Sequence, residues 1–244
     1  LLAGLPVTVG GNTVNRLCAP GLQAIMDAAR QIMTGDAEII IASGVESMTR
    51  APFVMPKSST PFSRTPEVYD TTLGWRFVNG KLSDMHYPYT MGETAENVAK
   101  QWNISREAQD AFAFESQQRY FKALEEGKWK DEIIPVEIAN GKEKGTFEID
   151  EHPRQTTIEK LATLKPAFAK DGTVTAGNSS GINDGAGAML LASEEAVQKW
   201  GLKPIAKIIS MATAGVDPSI MGIGPVPATQ KVLQRASLSI ADID

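Results

Sequence analysis

The apolar positions change period several times along the chain, and each change marks an element. Leu22, Ile25, Met26, Ala29, Ile32 and Met33 recur at steps of three and four, the spacing of one buried helix face. Pro20 suits the first turn of that helix, where an absent N–H costs little. Gly35 stands just past its end, where a left-handed residue closes a helix. Before it, residues 6–17 carry Val7, Val9, Thr13 and Val14, and these β-branched residues predict an extended strand. After it, residues 37–43 form an apolar run broken by Glu38, which predicts a buried strand. Strand, helix and strand together predict a layered α/β core.

From Gly44 the pattern fades. Residues 50–88 hold Pro52, Pro56, Pro61, Pro66 and Pro88 with no clear period, so this stretch is predicted to be irregular. Long stretches of that kind in compact domains usually serve function. Residues 94–102 predict a short helix and residues 105–127 a longer one. Ser105 is its N-cap, Ala111, Phe114, Phe121 and Leu124 form its packing face, and Gly127 stops it. Residues 132–139 alternate as a strand does, and Lys142-Glu143-Lys144-Gly145 reads as a solvated turn. Residues 162–180 show no strong period. Residues 186–192 predict a buried strand returning to the core. Ser193 caps a helix to Trp200, residues 204–213 predict a further strand, and residues 228–236 a helix. No repeat of short period is present.

Composition narrows the function classes. The 244 residues allow one large domain or two small ones. A hydrophobic share of 42% with a mean hydropathy of −0.16 fits a globular chain with a sizeable core. The net charge of −5 and a pI near 5.2 argue against a nucleic-acid surface. No apolar run approaches the ~20 residues of a membrane-spanning helix, so no membrane partner is expected. One cysteine, Cys18, forms no internal disulfide framework, and His86 and His152 have no metal-ligand spacing with it. No metal site is expected.

The candidate chemistry starts at Cys18, placed where a strand turns into a helix. Free N–H groups and the helix dipole there favour a thiolate. A free cysteine is also among the most buried residue types and often only packs, so position alone leaves both readings open. The glycines Gly177, Gly181, Gly185 and Gly187 bracket the polar turn Asn178-Ser179-Ser180. That spacing fits neither the phosphate-cradling loop nor the dinucleotide pattern; it lets backbones pass close together.

The stretches VNRLCAPGLQA, IIIASGVESMTRAP, YTMGETAENVAKQW, LKPAFAKDGTVTAGNSSGINDGAGAMLL and GVDPSIMGIGPVPA follow one another in this order. Together they resemble the thiolases, the acetyl-CoA C-acyltransferase family, from about Leu1 to Asp244. YDTTLGWRFVN and DEHPR are most similar to the 3-oxoadipyl-CoA thiolase branch. Pro20 departs from the family, which has a small residue, often serine, at that place.

The resemblance implies a thiolase-like layered α/β core, with helices packed on mixed sheets, and an inserted loop domain. It divides the chain into residues 1–48 of an N-terminal core, 49–175 of the loop domain over the coenzyme A site, 176–202 returning to the core, and 203–244 opening a C-terminal core. It implies acyl transfer: 3-oxoacyl-CoA plus CoA in equilibrium with acyl-CoA plus acetyl-CoA, with 3-oxoadipyl-CoA cleaved to succinyl-CoA and acetyl-CoA as the best-matching substrate. Cys18 matches the acylated cysteine. Leu82 and Met91 match apolar positions beside the pantetheine and thioester end. Ala176 and Ser180 match the turn that hydrogen-bonds the pantetheine amides, and Arg154 an arginine near the adenine nucleotide. Thr90 stands where many members have histidine, and the small hydroxyl suits the 3-oxoadipyl branch; Gly92 does not, since that branch usually has proline there. Without the family, Ser180 reads equally as a turn residue bonding its own backbone. Coenzyme A is implied as substrate and product, with no permanently bound cofactor. A homodimer or homotetramer in the cytoplasm is implied for the complete protein. The family's second cysteine and catalytic histidine, the latter in a Gly-His-Pro, are implied beyond Asp244, so residues 1–244 alone are expected to be inactive. His86 and His152 are expected to be structural or solvated. The alternatives are a non-catalytic acyl-CoA or lipid-binding relative and a cysteine hydrolase.

Overall fold

A computed structural model describes residues 1–140 and 143–244. The chain divides into two compact units. The first comprises Leu1–Arg50, Asp184–Thr213 and Ala228–Asp244; the second comprises Ala51–Asn183 and Ala214–Pro227.

In the first unit, helix α1 spans Pro20–Met33, with Pro20 in its first turn as the pattern requires. Gly35 follows with φ 78°. Strand β1 (Ile39–Glu46) pairs antiparallel with a later strand, Gly185–Ala192, in the register Ile40 to Leu191 and Ala42 to Met189. Helix α1 packs on this pair. The core there is Ala28, Ala29, Ala42 and Leu191, flanked by Ala24, Ile25, Ile32, Ile40 and Met211. The alanines let helix and sheet approach closely, and burying Leu191 contributes about 2 kcal/mol.

The apolar runs of these two strands predicted burial on both faces. The structure covers one. Ala42 and Leu191 are buried, while Ile41 and its cross-strand partner Leu190 stay about half exposed. Alternation explains the difference: successive residues point to opposite faces, and α1 covers one of them. Leu22 and Met33, assigned to the buried face of α1, are exposed, whereas Ala28 is buried.

Two further expectations are corrected. Residues 6–17 form no strand; they begin with a turn closed by the Val9 N–H on Pro6 O. Residues 204–213 form no strand either. Strand propensity becomes a strand only when a neighbour supplies the ladder, and among the described residues neither segment has one.

In the second unit, residues 51–79 are irregular as expected, apart from the short pair β2 (Phe53–Val54) and β3 (Tyr69–Asp70). Helix α2 (Gly80–Met85) was not anticipated. The Asn79 side chain caps it by accepting from Leu82 N. Helix α3 spans Met91–Gln101 and starts earlier than expected, because Thr90 and Glu93 form a capping box. Helix α4 (Arg106–Glu125) is capped by Ser105 and followed by Gly127 at φ 69°. Its inner face differs from expectation. Phe114 and Phe121 are half-buried, but Ala111 and Leu124 are exposed and the buried residue is Asp110. Strands β4 (Val136–Asn140) and β5 (Glu143–Phe147) form a hairpin. Of the anticipated turn, Lys142 lies outside the described residues, and Glu143, Lys144 and Gly145 belong to β5. Helix α5 (Ile158–Ala162), also unanticipated, is capped by Thr157.

Strand β6 is the Gly185–Ala192 partner of β1. Helix α6 (Glu194–Trp200) is capped by Ser193 and closed by left-handed Gly201, and α7 spans Pro225–Ala236. No helix among the described residues is long and apolar enough to cross a membrane.

Candidate functional site

Cys18 belongs to the first unit and is exposed. It lies in a tight turn before α1. Asn15 Oδ1 accepts from Leu17 N at 2.8 Å, and Ala19 N donates to Arg16 O at 3.0 Å. Leu17 takes φ 45°, a conformation that costs a non-glycine residue about 1 kcal/mol or more. Ala19 is the N-cap and offers no side-chain acceptor. The first-turn amides next to the thiol therefore have no capping side chain.

The adjoining helix surface is polar and fixed. Arg16 Nε donates to Gln23 Oε1 at 2.7 Å, and Gln23 Nε2 donates to Asp27 Oδ1 at 2.7 Å. Just beyond β1 in sequence, the Thr49 N–H and hydroxyl donate to the two Asp184 carboxylate oxygens at 2.9 and 2.6 Å. The hydroxyl bond is the first cause that holds the Asp184 carboxyl below the usual carboxylate range.

The other five candidates lie in the second unit. Leu82 on α2 and Met91 at the start of α3 are 57% and 59% exposed. Both keep more than half of their apolar side chains exposed. Thr90, whose hydroxyl suited the 3-oxoadipyl branch, is engaged locally: its N–H and Oγ1 both donate to Glu93 Oε2, at 2.7 and 2.8 Å. The backbone bond is the leading cause that lowers the Glu93 pKa. Gly92 is buried, and the Phe168 ring lies where a Cβ on Gly92 would project. Replacing Gly92 with alanine pushes that ring aside. An overpacking cost of about 1–3 kcal/mol outweighs the helix gain of at most about 1 kcal/mol, so a denaturant titration of Gly92→Ala is expected to show net destabilisation.

Ala176 and Ser180 are exposed on the turn that follows Val174 and Thr175, both of which are buried. The Glu96 carboxylate on α3 accepts from Thr173 N and Val174 N, each at 2.8 Å, and from Thr173 Oγ1 at 3.0 Å. Arg154 is exposed, and its backbone N–H donates to Gln117 Oε1 at 2.9 Å. The His152 imidazole packs on Gly181 closely enough to occupy the place of a Cβ there. His86 ends α2, where its N–H donates to Leu82 O at 2.8 Å. Among the described residues no group of three or more His, Cys, Asp or Glu could hold a metal ion.

Sequence reading missed Glu96 and Asp110 and gave Asn178 no role beyond its place in the polar turn; these side chains fasten residues 173–178. The Thr-x-x-Asn spacing of Thr175 and Asn178 is the one local signal of that fastening, since Asn side chains bond nearby backbone in turns.

Residues 1–195 match the family model of the thiolase N-terminal domain, and residues 202–244 that of the thiolase C-terminal domain. The chain belongs to the thiolase family. It is 54% identical over its whole length to the 3-oxoadipyl-CoA/3-oxo-5,6-dehydrosuberyl-CoA thiolase of Escherichia coli K12. It is 53% identical, again over its whole length, to the beta-ketoadipyl-CoA thiolase of Pseudomonas knackmussii. The chain spans about 61% of the length of each of these relatives. Among solved structures, the Bacillus anthracis acetyl-CoA acetyltransferase superposes with a TM-score of 0.89 at 44% identity, over all of this chain and 61% of that one. The human mitochondrial 3-ketoacyl-CoA thiolase in complex with CoA gives 0.88 at 42% identity, over all of this chain and 60% of that one. The α/β architecture is accordingly the thiolase fold.

Proposed function

We propose that the protein containing this chain is a thiolase, with Cys18 as its acyl acceptor. The observation that carries the reading is an exposed cysteine before an uncapped helix start, in a chain of this family. In the cleavage direction the Cys18 thiolate attacks the 3-oxo carbonyl carbon, its own backbone N–H donates to the developing oxyanion, and the bond between C2 and C3 breaks, so that acetyl-CoA leaves once its C2 has taken a proton. The acyl group then resides on Cys18 until the second substrate takes it. Coenzyme A enters as substrate and leaves as product, with no permanently bound cofactor. Leu82 and Met91 flank the pantetheine and thioester end. Ala176 and Ser180 meet the pantetheine amides, and Arg154 the adenine nucleotide. The base for Cys18 and the second acid–base group come from residues outside 1–244, so these residues alone do not turn over.

In domain terms, residues 1–48 and 176–202 belong to the N-terminal core, residues 49–175 to a loop domain over the coenzyme A site, and residues 203–244 to the C-terminal core. The substrate reading is 3-oxoadipyl-CoA, cleaved with CoA to succinyl-CoA and acetyl-CoA; the names of the relatives support it. A homodimer or homotetramer in the cytoplasm completes the proposal.

The test is thiolysis of 3-oxoadipyl-CoA by the full-length protein, followed as loss of the 3-oxoacyl-CoA. Tight CoA binding without turnover would instead support a non-catalytic acyl-CoA-binding relative. A second check addresses the pocket. Ser180→Ala is expected to weaken CoA binding by about 1 kcal/mol, one neutral hydrogen bond. Titration calorimetry measures it, and an unchanged affinity removes Ser180 from the site.

A further inference from the structure

The turn that carries Ala176 and Ser180 has no regular structure of its own, and one side chain organises it. Asn178 Nδ2 donates to Asp110 Oδ1 and to Thr173 O, each at 3.0 Å, while Asn178 Oδ1 accepts from Thr175 N at 2.7 Å. Thr175, fully buried, extends the arrangement. Its hydroxyl accepts from Gly177 N at 3.1 Å, and its carbonyl accepts from Ser179 Oγ at 2.6 Å. All of the amide capacity of Asn178 that faces inward is thereby used to set the path of residues 173–179.

Asp110 anchors this hub to α4. It is 3% exposed, and its second oxygen accepts from Arg106 Nε at 2.7 Å. Arg106 Nη2 in turn donates to Leu161 O and Leu164 O, at 2.8 and 3.0 Å, at the end of α5. A merely solvated turn needs no buried ion pair behind it. Such a pair repays its desolvation poorly in stability, and its better-attested use is to specify one arrangement over others. Here the arrangement specified is the turn between Ala176 and Ser180, whose two ends remain exposed.

We infer that Asn178 and Asp110 are positioning residues for coenzyme A, holding residues 176–180 in the one shape that receives the pantetheine arm. The inference rests on the proposed coenzyme A contacts of Ala176 and Ser180. It assigns neither residue a contact with substrate; they act through the backbone of the turn.

The experiment is steady-state thiolysis by the full-length protein with CoA varied, for Asn178→Ala, the milder Asn178→Ser, Asp110→Asn, and the paired exchange D110N/N178D. Each single variant is expected to raise the KM for CoA, Asn178→Ala by about tenfold for the hydrogen bonds lost, with kcat falling by less than KM rises. The paired exchange moves the amide to α4 and the carboxylate to the turn. It keeps an acceptor for Thr175 N and a donor between α4 and the turn but leaves Thr173 O without its donor, so KM is expected to return only part of the way toward the parent value. Ser180→Ala is run beside them. If Ser180→Ala raises KM while the Asn178 and Asp110 variants leave it unmoved, the inference is overturned and the pocket reading stands. If Ser180→Ala also leaves KM unmoved, the pocket reading itself fails. If the single variants lower kcat and kcat/KM alike and the paired exchange recovers nothing, Asn178 and Asp110 serve folding alone, and the inference is overturned.

Discussion

Cys18→Ser in the full-length protein is expected to lose at least ~10³-fold in thiolysis, the scale on which enzymes lose rate when the nucleophile is removed. The effect is chemical. Serine keeps the shape of the side chain but is a far weaker nucleophile at neutral pH, because the thiolate is the reactive form of cysteine. The side chain is exposed, so its replacement opens no cavity. A melting curve of the variant that overlays the parent's, beside a collapsed thiolysis rate, separates the chemical role from a structural one. Retained turnover would assign the acyl group to another acceptor.

The largest stability effect is expected at Arg106. Its pair with Asp110 is the most buried ion pair among the described residues, with side chains 19% and 4% exposed. Arg106→Leu leaves the Asp110 carboxylate buried with one partner lost, and removes a donor from the carbonyls of Leu161 and Leu164. Breaking a buried pair in this way costs about 3 kcal/mol. Asp110→Asn is expected to cost less, about 1 kcal/mol, because Arg106 keeps both carbonyl acceptors and part of its water. Urea unfolding of both variants, with the transition of each unit followed separately, measures the difference. Equal effects would mean that the charge of Asp110, which Asp110→Asn removes at nearly constant volume, carries the whole contribution, and that the Arg106 bonds to the two carbonyls add nothing.

The contrast between Arg106 and the helix that carries it shows what sequence reveals here. The ends of α4 were legible, since Ser105 and Gly127 are local signals. Its inner face was misassigned. Apolar periodicity pointed to Ala111 and Leu124, yet the buried position is Asp110, chosen by a partner 68 residues away. Periodicity reports the side a helix hides only when that side is apolar. The strands expected at residues 6–17 and 204–213 failed for a related reason. β-branched residues state a preference, and pairing over long separations decides it. β1 and β6 were legible as strands from their apolar runs. Their exposed face was not, because a run of apolar residues cannot say how many layers cover it.

Within the candidate site the same division holds. Cys18, Gly35 and the helix of Leu22 to Met33 follow from local pattern, and the family resemblance carried Leu82, Met91, Arg154, Ala176 and Ser180. The polar supports of the turn were invisible. Glu96 meets Thr173 and Val174 across 77 and 78 residues, and such bonds leave no mark on spacing. Thr90 illustrates the reverse case. Its hydroxyl drew attention as a branch feature, and the structure engages it in the capping box of α3.

The central claim is that acyl transfer passes through Cys18. The most direct measurement incubates the full-length protein with acetyl-CoA in the absence of a second substrate, quenches in acid, and maps the adduct by peptide mass spectrometry. The account predicts one acetyl thioester on the peptide containing Cys18, released on addition of CoA with re-formation of acetyl-CoA. An acetyl group stably held on any other residue, with Cys18 unmodified, would contradict it.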